Sequence, residues 1–148
     1  MDLGMTIKVT SGVLQTLREE AQKAMPEECC GLLLGQGERI EFAQPAANIA
    51  KDPLTRFEID PVALLSAHKA ARAGGPQIVG YYHSHPAGHP VPSATDCEHA
   101  SGDARIWAIV ANDEVAFWRD GKGGFEAAQW EEVSVMPRIT EPDRKART

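Results

Sequence analysis

The chain has 148 residues, 43% of them hydrophobic and 24% charged, and carries a formal charge of −6 from 15 basic and 21 acidic side chains. That length suits one domain with its own core, and a net acidic surface attracts neither phosphate backbones nor anionic lipid, so nucleic-acid and membrane partners are not expected. Cys29 and Cys30 are adjacent and Cys97 stands apart, which is no framework for disulfides, and Met1 to Thr10 holds no basic stretch followed by a long apolar one; a reducing, cytoplasmic setting is expected.

Thr6 to Val9 alternates polar and apolar residues as a strand does, and Thr10 or Ser11 then offers an N-cap to a helix with Val13, Leu14 and Leu17 on one face, ending near Met25-Pro26. Cys29 to Gly35 is a short apolar run between acids and glycine, the pattern of a strand buried on both faces. Gln36-Gly37 turns into a second strand from about Arg39 to Ala43, and Gln44 to Arg56, with prolines at 45 and 53, reads as a loop. Asp60-Pro61 opens a helix that runs to Gly74-Gly75, with the cap and the first-turn proline in the favoured order. Beyond it, Gln77 to Tyr82 is apolar, Ser93 caps a short helix to about Ser101, and Ile106 to Ala111 and Val115 to Trp118 are strands across an Asn112-Asp113 turn. A last strand pair is expected around Phe125 to Val135. The prediction is one α/β domain over residues 1–135, a mixed, curved sheet flanked by helices, with a flexible charged tail over residues 136–148.

The stretch from His83 to Asp96 carries the chemistry. In a strand, residues two apart share a face, so His83 and His85 present two imidazoles to one point while Ser84 turns away. The loop that follows, rich in proline and glycine, returns a hydroxyl at Ser93 and a carboxylate at Asp96. Two imidazoles and a carboxylate suit Zn²⁺ and leave a fourth tetrahedral position open. Ser93 and Asp96 also fit simple helix capping, so for Ser93 two roles compete for one hydroxyl.

His83-x-His85-x₇-Ser93-x-x-Asp96, preceded by Glu28 in Pro26-x-Glu28-x-Cys30-Gly31-Leu32-Leu33-Leu34-Gly35, resembles the JAMM (MPN+) metalloprotease family in its small prokaryotic form. Ala47-Asn48, Phe57-x-Ile59-Asp60-Pro61 and Ile78-Val79-Gly80 are similar to the family's pattern as well, so the resemblance covers most of the chain. It implies a cytidine-deaminase-like α/β domain, one Zn²⁺ per chain on His83, His85 and Asp96, and Glu28 beside the water that attacks. It also implies that Ser93 donates to the oxyanion. Only one of Glu27 and Glu28 can face the site from an extended segment, and the family pattern selects Glu28. For stand-alone bacterial members the resemblance implies cleavage at the Gly-Gly end of a ubiquitin-like sulfur carrier of the ThiS or MoaD type, as a peptide or isopeptide bond. The short chain has no room for the insertions with which larger relatives grip ubiquitin chains.

Other classes predict other residues. A non-catalytic interaction module of the same fold, binding a ubiquitin-like partner, would not need the full ligand set and Glu28 together. A zinc nucleobase deaminase would need His-x-Glu followed by Pro-Cys-x-x-Cys, which the chain lacks. The related RadC branch shares the shape of the loop but carries Asn where this chain has Ser84. His89 is expected to be an exposed loop histidine, and Cys30 and Cys97 small buried packing residues.

Overall fold

A computed structural model of the protein describes residues 6–134; the expected tail lies outside them. In chain order the elements are β1 (Ile7–Thr10), α1 (Ser11–Ala24), β2 (Cys30–Gln36), β3 (Arg39–Ala46), α2 (Pro61–Arg72), β4 (Gln77–Ser84), α3 (Ala94–His99), β5 (Ile106–Ala111), β6 (Glu114–Gly121), β7 (Gly124–Ala127) and β8 (Trp130–Val133). The strands form one mixed sheet in the order β7-β6-β5-β4-β2-β3-β1-β8. Parallel pairs are β1 with β3, β1 with β8 and β4 with β5, and the remaining neighbours are antiparallel.

Alternation along β2 splits the core in two. Leu33 faces α1, whose Val13, Leu14 and Leu17 pack with Val9, Ile40 and Phe117, whereas Cys30, Leu32 and Leu34 face Ile59 and Ala67 on the α2 side. Residues Cys30 to Gly35 are all buried, as a strand covered on both faces requires. Asp60 caps α2 by accepting the Val62 N–H at 3.0 Å, with Pro61 in the first turn.

Three local expectations fail for identifiable reasons. Thr10 precedes α1, but its hydroxyl donates to the Glu41 carbonyl at 3.3 Å and makes no cap bond. β3 continues through Gln44, Pro45 and Ala46, which pair with Leu32, Gly31 and Cys30. The proline is tolerated because β1 covers the other side of β3 only at Arg39 and Ile40, leaving that end an edge. The last two strands do not pair with each other: β7 extends β6, and β8 crosses to the opposite edge to run parallel with β1. Among the described residues no helix is long and apolar enough to cross a membrane.

Candidate active site and metal centre

β4 ends at Ser84, but its parallel pairing continues as the His85 N–H donates to the Val110 carbonyl at 2.8 Å. His85 therefore stays in strand alternation with His83, and the two imidazoles project to one side. Ser84 turns to the other, where its Oγ accepts the Cys29 N–H at 2.8 Å. The loop beyond is pinned to neighbouring strands: Trp118 Nε1 donates to the Pro90 carbonyl at 3.0 Å and Asn112 Nδ2 to the Gly88 carbonyl at 3.4 Å. It delivers Ser93 as the N-cap of α3 in a reciprocal capping box. Ser93 Oγ accepts the Asp96 N–H at 3.0 Å, and Asp96 Oδ2 accepts the Ser93 N–H at 2.9 Å.

That same Asp96 Oδ2 lies 3.0 Å from His83 Nε2 and 3.2 Å from His85 Nε2, and the two nitrogens are 3.1 Å apart. His85 Nδ1 is 2.8 Å from the His89 carbonyl. A carbonyl only accepts, so Nδ1 carries a hydrogen, and when the ring is neutral the Nε2 lone pair faces the cluster. Burial lowers the pKa of His83 despite the pull of Asp96, which keeps this ring neutral. For Asp96, burial opposes ionisation, yet hydrogen bonds from His83 and His85 hold its carboxyl well below the usual range.

Three atoms of ligand type, Nε2 of two imidazoles and one carboxylate oxygen, thus converge. Bond lengths of about 2.0–2.1 Å at tetrahedral angles put ligand atoms about 3.3 Å apart, close to the 3.0–3.2 Å seen here. His83, His85 and Asp96 form a group able to hold one metal ion. His83 Nδ1 is buried without a hydrogen-bond partner among the described residues, and aromatic packing holds the ring. Phe57 stacks on it at 4.3 Å between centroids, and Trp107 meets it edge-on at 5.7 Å.

Glu28 enters from β2. The register pairs Cys30 with His83 and the Ser84 N–H donates to the Cys29 carbonyl at 3.2 Å, so two residues earlier Glu28 stands opposite His85. Glu28 is 7% exposed, and burial pushes its carboxyl up to about 7, a rise that His85 moderates and Asp96 reinforces. Glu27 points to solvent. Glu28, His85 and Ser93 line one cleft of 380 Å³, walled by Leu54 and Thr55 on one loop and Val91 on the other. A larger pocket of 770 Å³ lies behind Phe57 and Trp107 and reaches Lys51, Arg56 and Tyr81.

The five residues singled out from the sequence therefore meet at one place. His89 is exposed as expected, but its carbonyl, which has no sequence signature, orients His85. Cys30 is buried, with burial pushing its thiol up to about 12, so it is no nucleophile at neutral pH. Cys97 corrects the expectation of burial: it is exposed, because Asp96 occupies the inward face of a helix only six residues long. The ring of Phe57 and the amide of Asn48, noted in the sequence only as similar to the family's pattern, hold the site together.

Residues 10–121 match the family described as prokaryotic homologues of the JAB domain. A desampylase of Haloferax volcanii is 36% identical over 113 residues, which are 75% of this chain and 81% of that protein. A probable TtuB-protein conjugate cleaving protease of Thermus thermophilus is 33% identical over 133 residues, 90% of this chain and 84% of the relative. The crystal structure of a JAB1/MPN domain protein from Archaeoglobus fulgidus superposes with a TM-score of 0.61, covering 86% of this chain and all of the other at 21% identity, and it shares the fold. With most of the chain matched and the described elements arranged as in that fold, the protein belongs to the prokaryotic homologues of the JAB domain, the JAMM/MPN family.

Proposed function

We propose that the protein is a zinc-dependent peptidase hydrolysing the amide or isopeptide bond at the C-terminal Gly-Gly junction of a ubiquitin-like sulfur carrier. His83, His85 and Asp96 hold one Zn²⁺, Glu28 is the general base and acid, and Ser93 stabilises the transition state. The observation that carries this reading is the convergence of two imidazole nitrogens and a carboxylate oxygen within 3.2 Å of one another, with the buried carboxyl of Glu28 in the same cleft as His85. The names of the two curated relatives, a desampylase and a protease of TtuB-protein conjugates, support a conjugate as substrate.

When bound, the ion supplies Lewis-acid polarisation of the scissile carbonyl and brings the pKa of a bound water from about 15.7 to about 7. Glu28 takes the proton of the attacking water and gives it to the departing amine. A carboxyl near 7 suits both halves of that transfer at neutral pH. The Ser93 cap uses a lone pair of Oγ, accepting the Asp96 N–H. Its hydroxyl hydrogen remains to donate to the oxygen on which charge develops, so the two roles do not compete. Leu54 and Val91, each about half exposed at the cleft walls, exclude water around an extended glycine-rich chain. A module that only binds would gain nothing from Glu28, whose burial beside Asp96 costs stability.

The test is to incubate the zinc-loaded protein with ThiS- or MoaD-type carriers extended past Gly-Gly by a peptide or joined to a lysine, and to follow the products by mass spectrometry. Cleavage directly after the second glycine, lost on chelation and in Glu28→Gln, is expected. Activity that survives both treatments overturns the mechanism.

A further inference from the structure

Asn48 makes the full complement of hydrogen bonds that a side-chain amide can make. Its Nδ2 donates to the Glu28 carbonyl at 2.9 Å and to the Arg56 carbonyl at 3.1 Å, and its Oδ1 accepts the Ala50 and Glu58 N–H groups, each at 3.0 Å. It sits at the neck of the loop over residues 49–58, which the bridge between Asn48 and Ile59 and the bond from the Ile49 N–H to the Glu58 carbonyl close. The loop bends back so that the Pro53 carbonyl accepts the Glu28 N–H at 2.8 Å.

Both backbone polar groups of Glu28 are therefore bonded to this one loop, the carbonyl through Asn48 and the N–H through Pro53. Glu28 lies before the first residue of β2, outside the regular ladder, so no strand neighbour does this work. The same loop sets Phe57 against His83 and puts Leu54 and Thr55 into the cleft. We propose that Asn48 is a positioning residue: by locking the loop neck to the Glu28 backbone it fixes the carboxyl of Glu28 relative to His83, His85 and Asp96. The proposal rests on Glu28 as the general base. Its physical ground is that proton transfer needs the carboxyl within hydrogen-bond reach of the water, and misplacement by about 1 Å costs on the order of 10²-fold in rate.

Asn48→Asp is the discriminating variant. It keeps the acceptor for Ala50 and Glu58, so the loop neck retains half its bonds. The donor is replaced by an oxygen facing the Glu28 and Arg56 carbonyls. With a carrier–Gly-Gly–peptide fusion as substrate, kcat should fall by about 10²-fold while KM changes by less than about threefold and zinc content stays at that of the wild type. In the metal-free protein, amide hydrogen exchange at Glu28 should quicken by about tenfold or more, with Ala50 and Glu58 still protected.

A folded Asn48→Asp with wild-type kcat, or with unchanged exchange at Glu28, overturns the proposal. So does a fall in activity accompanied by loss of zinc or by a matching rise in KM, which marks a merely structural role. If Asn48→Asp does not fold, Pro53→Gly, which loosens the other attachment of Glu28, should show the same loss confined to kcat, and a wild-type kcat there overturns the proposal. A wild-type protein inactive on every carrier fusion overturns the proposed function instead, and the exchange measurement still decides the role of Asn48.

Discussion

Burial raises the Glu28 carboxyl from an ordinary 4.5 to about 7, so the metal-free native state holds this proton more tightly than the unfolded chain does. The neutral form is the one that burial favours; the stability it brings is complete below pH 4.5 and lost as pH rises to about 7, by up to about 3 kcal/mol. Metal-free Glu28→Gln should then match the wild type in urea unfolding at about pH 4 and exceed it at about pH 8; equal stability at both would contradict the burial argument. In the zinc-loaded protein the same variant should keep its metal and lose about 10²–10⁴-fold in kcat. Ser93 invites a different separation. Ser93→Ala removes the cap, at about 0.5–2 kcal/mol, whereas Ser93→Gly costs only a few tenths. Both remove the hydroxyl hydrogen, so both should lose about 10²–10³-fold in kcat despite their different thermal stabilities. A Ser93→Gly protein with wild-type kcat would leave Ser93 as a cap alone. The side chains whose chemistry defines the site were readable in the sequence because imidazoles two apart on a strand can only face one way. The His89 carbonyl and the Asn48 bonds were not, since backbone acceptors look alike at every position.

At the scale of elements, the sequence showed where strands and helices lie better than how they join. β2 announced itself by an apolar run, and α2 by Asp60-Pro61. The crossing of β8 to the far edge had no local sign, because strand pairing is decided by which edge remains free after β1 has docked on β3. A second feature hidden from sequence is the bulge in β4. Leu33 pairs with Gly80 and Leu34 with Ile78, so Val79 is the extra residue. Val79 and Tyr82 consequently pack on the α1 side while Ile78 and Tyr81 pack on the α2 side, a spacing of three in place of two. This shift places His83 on the face occupied by Phe57 and Trp107. Gly80 is needed beside the bulge: a Cβ there would stand 1.8 Å from the Ile106 carbonyl oxygen across the β4–β5 pair. Gly80→Ala should push β5 from β4, destabilise by about 1–3 kcal/mol and weaken zinc binding, because His83 and His85 hang from that pair. Calorimetry with zinc titration checks both effects, and an unchanged zinc affinity would show that the site tolerates a displaced β5.

If the proposed ion binds at His83, His85 and Asp96, the whole molecule should respond to it, because those residues come from two separate segments. His83 and His85 belong to the β4 strand and its extension, and Asp96 to α3, which follows the loop from Pro86 to Pro92. An ion bound to the native arrangement alone stabilises the fold by about 4 kcal/mol at a free concentration 1,000 times Kd, a rise in Tm of roughly 8–16 °C for a chain of this size. Protons compete for the same atoms. Asp96 is held far too low to compete above about pH 4, so His85 sets the competition. Burial works against its charge, but hydrogen bonds to Asp96 and to the His89 carbonyl outweigh burial and raise its pKa above 6.5. In the metal-free protein that proton contributes stability which is complete below 6.5 and is lost as pH climbs through the raised native value. Zinc held as proposed would have to displace it, so the ion should add least where the proton is already in place. The rise in Tm on adding zinc should grow between about pH 6 and pH 8, and Asp96→Asn should remove most of it at either pH. A rise in Tm independent of pH would mean that the ion binds away from His85.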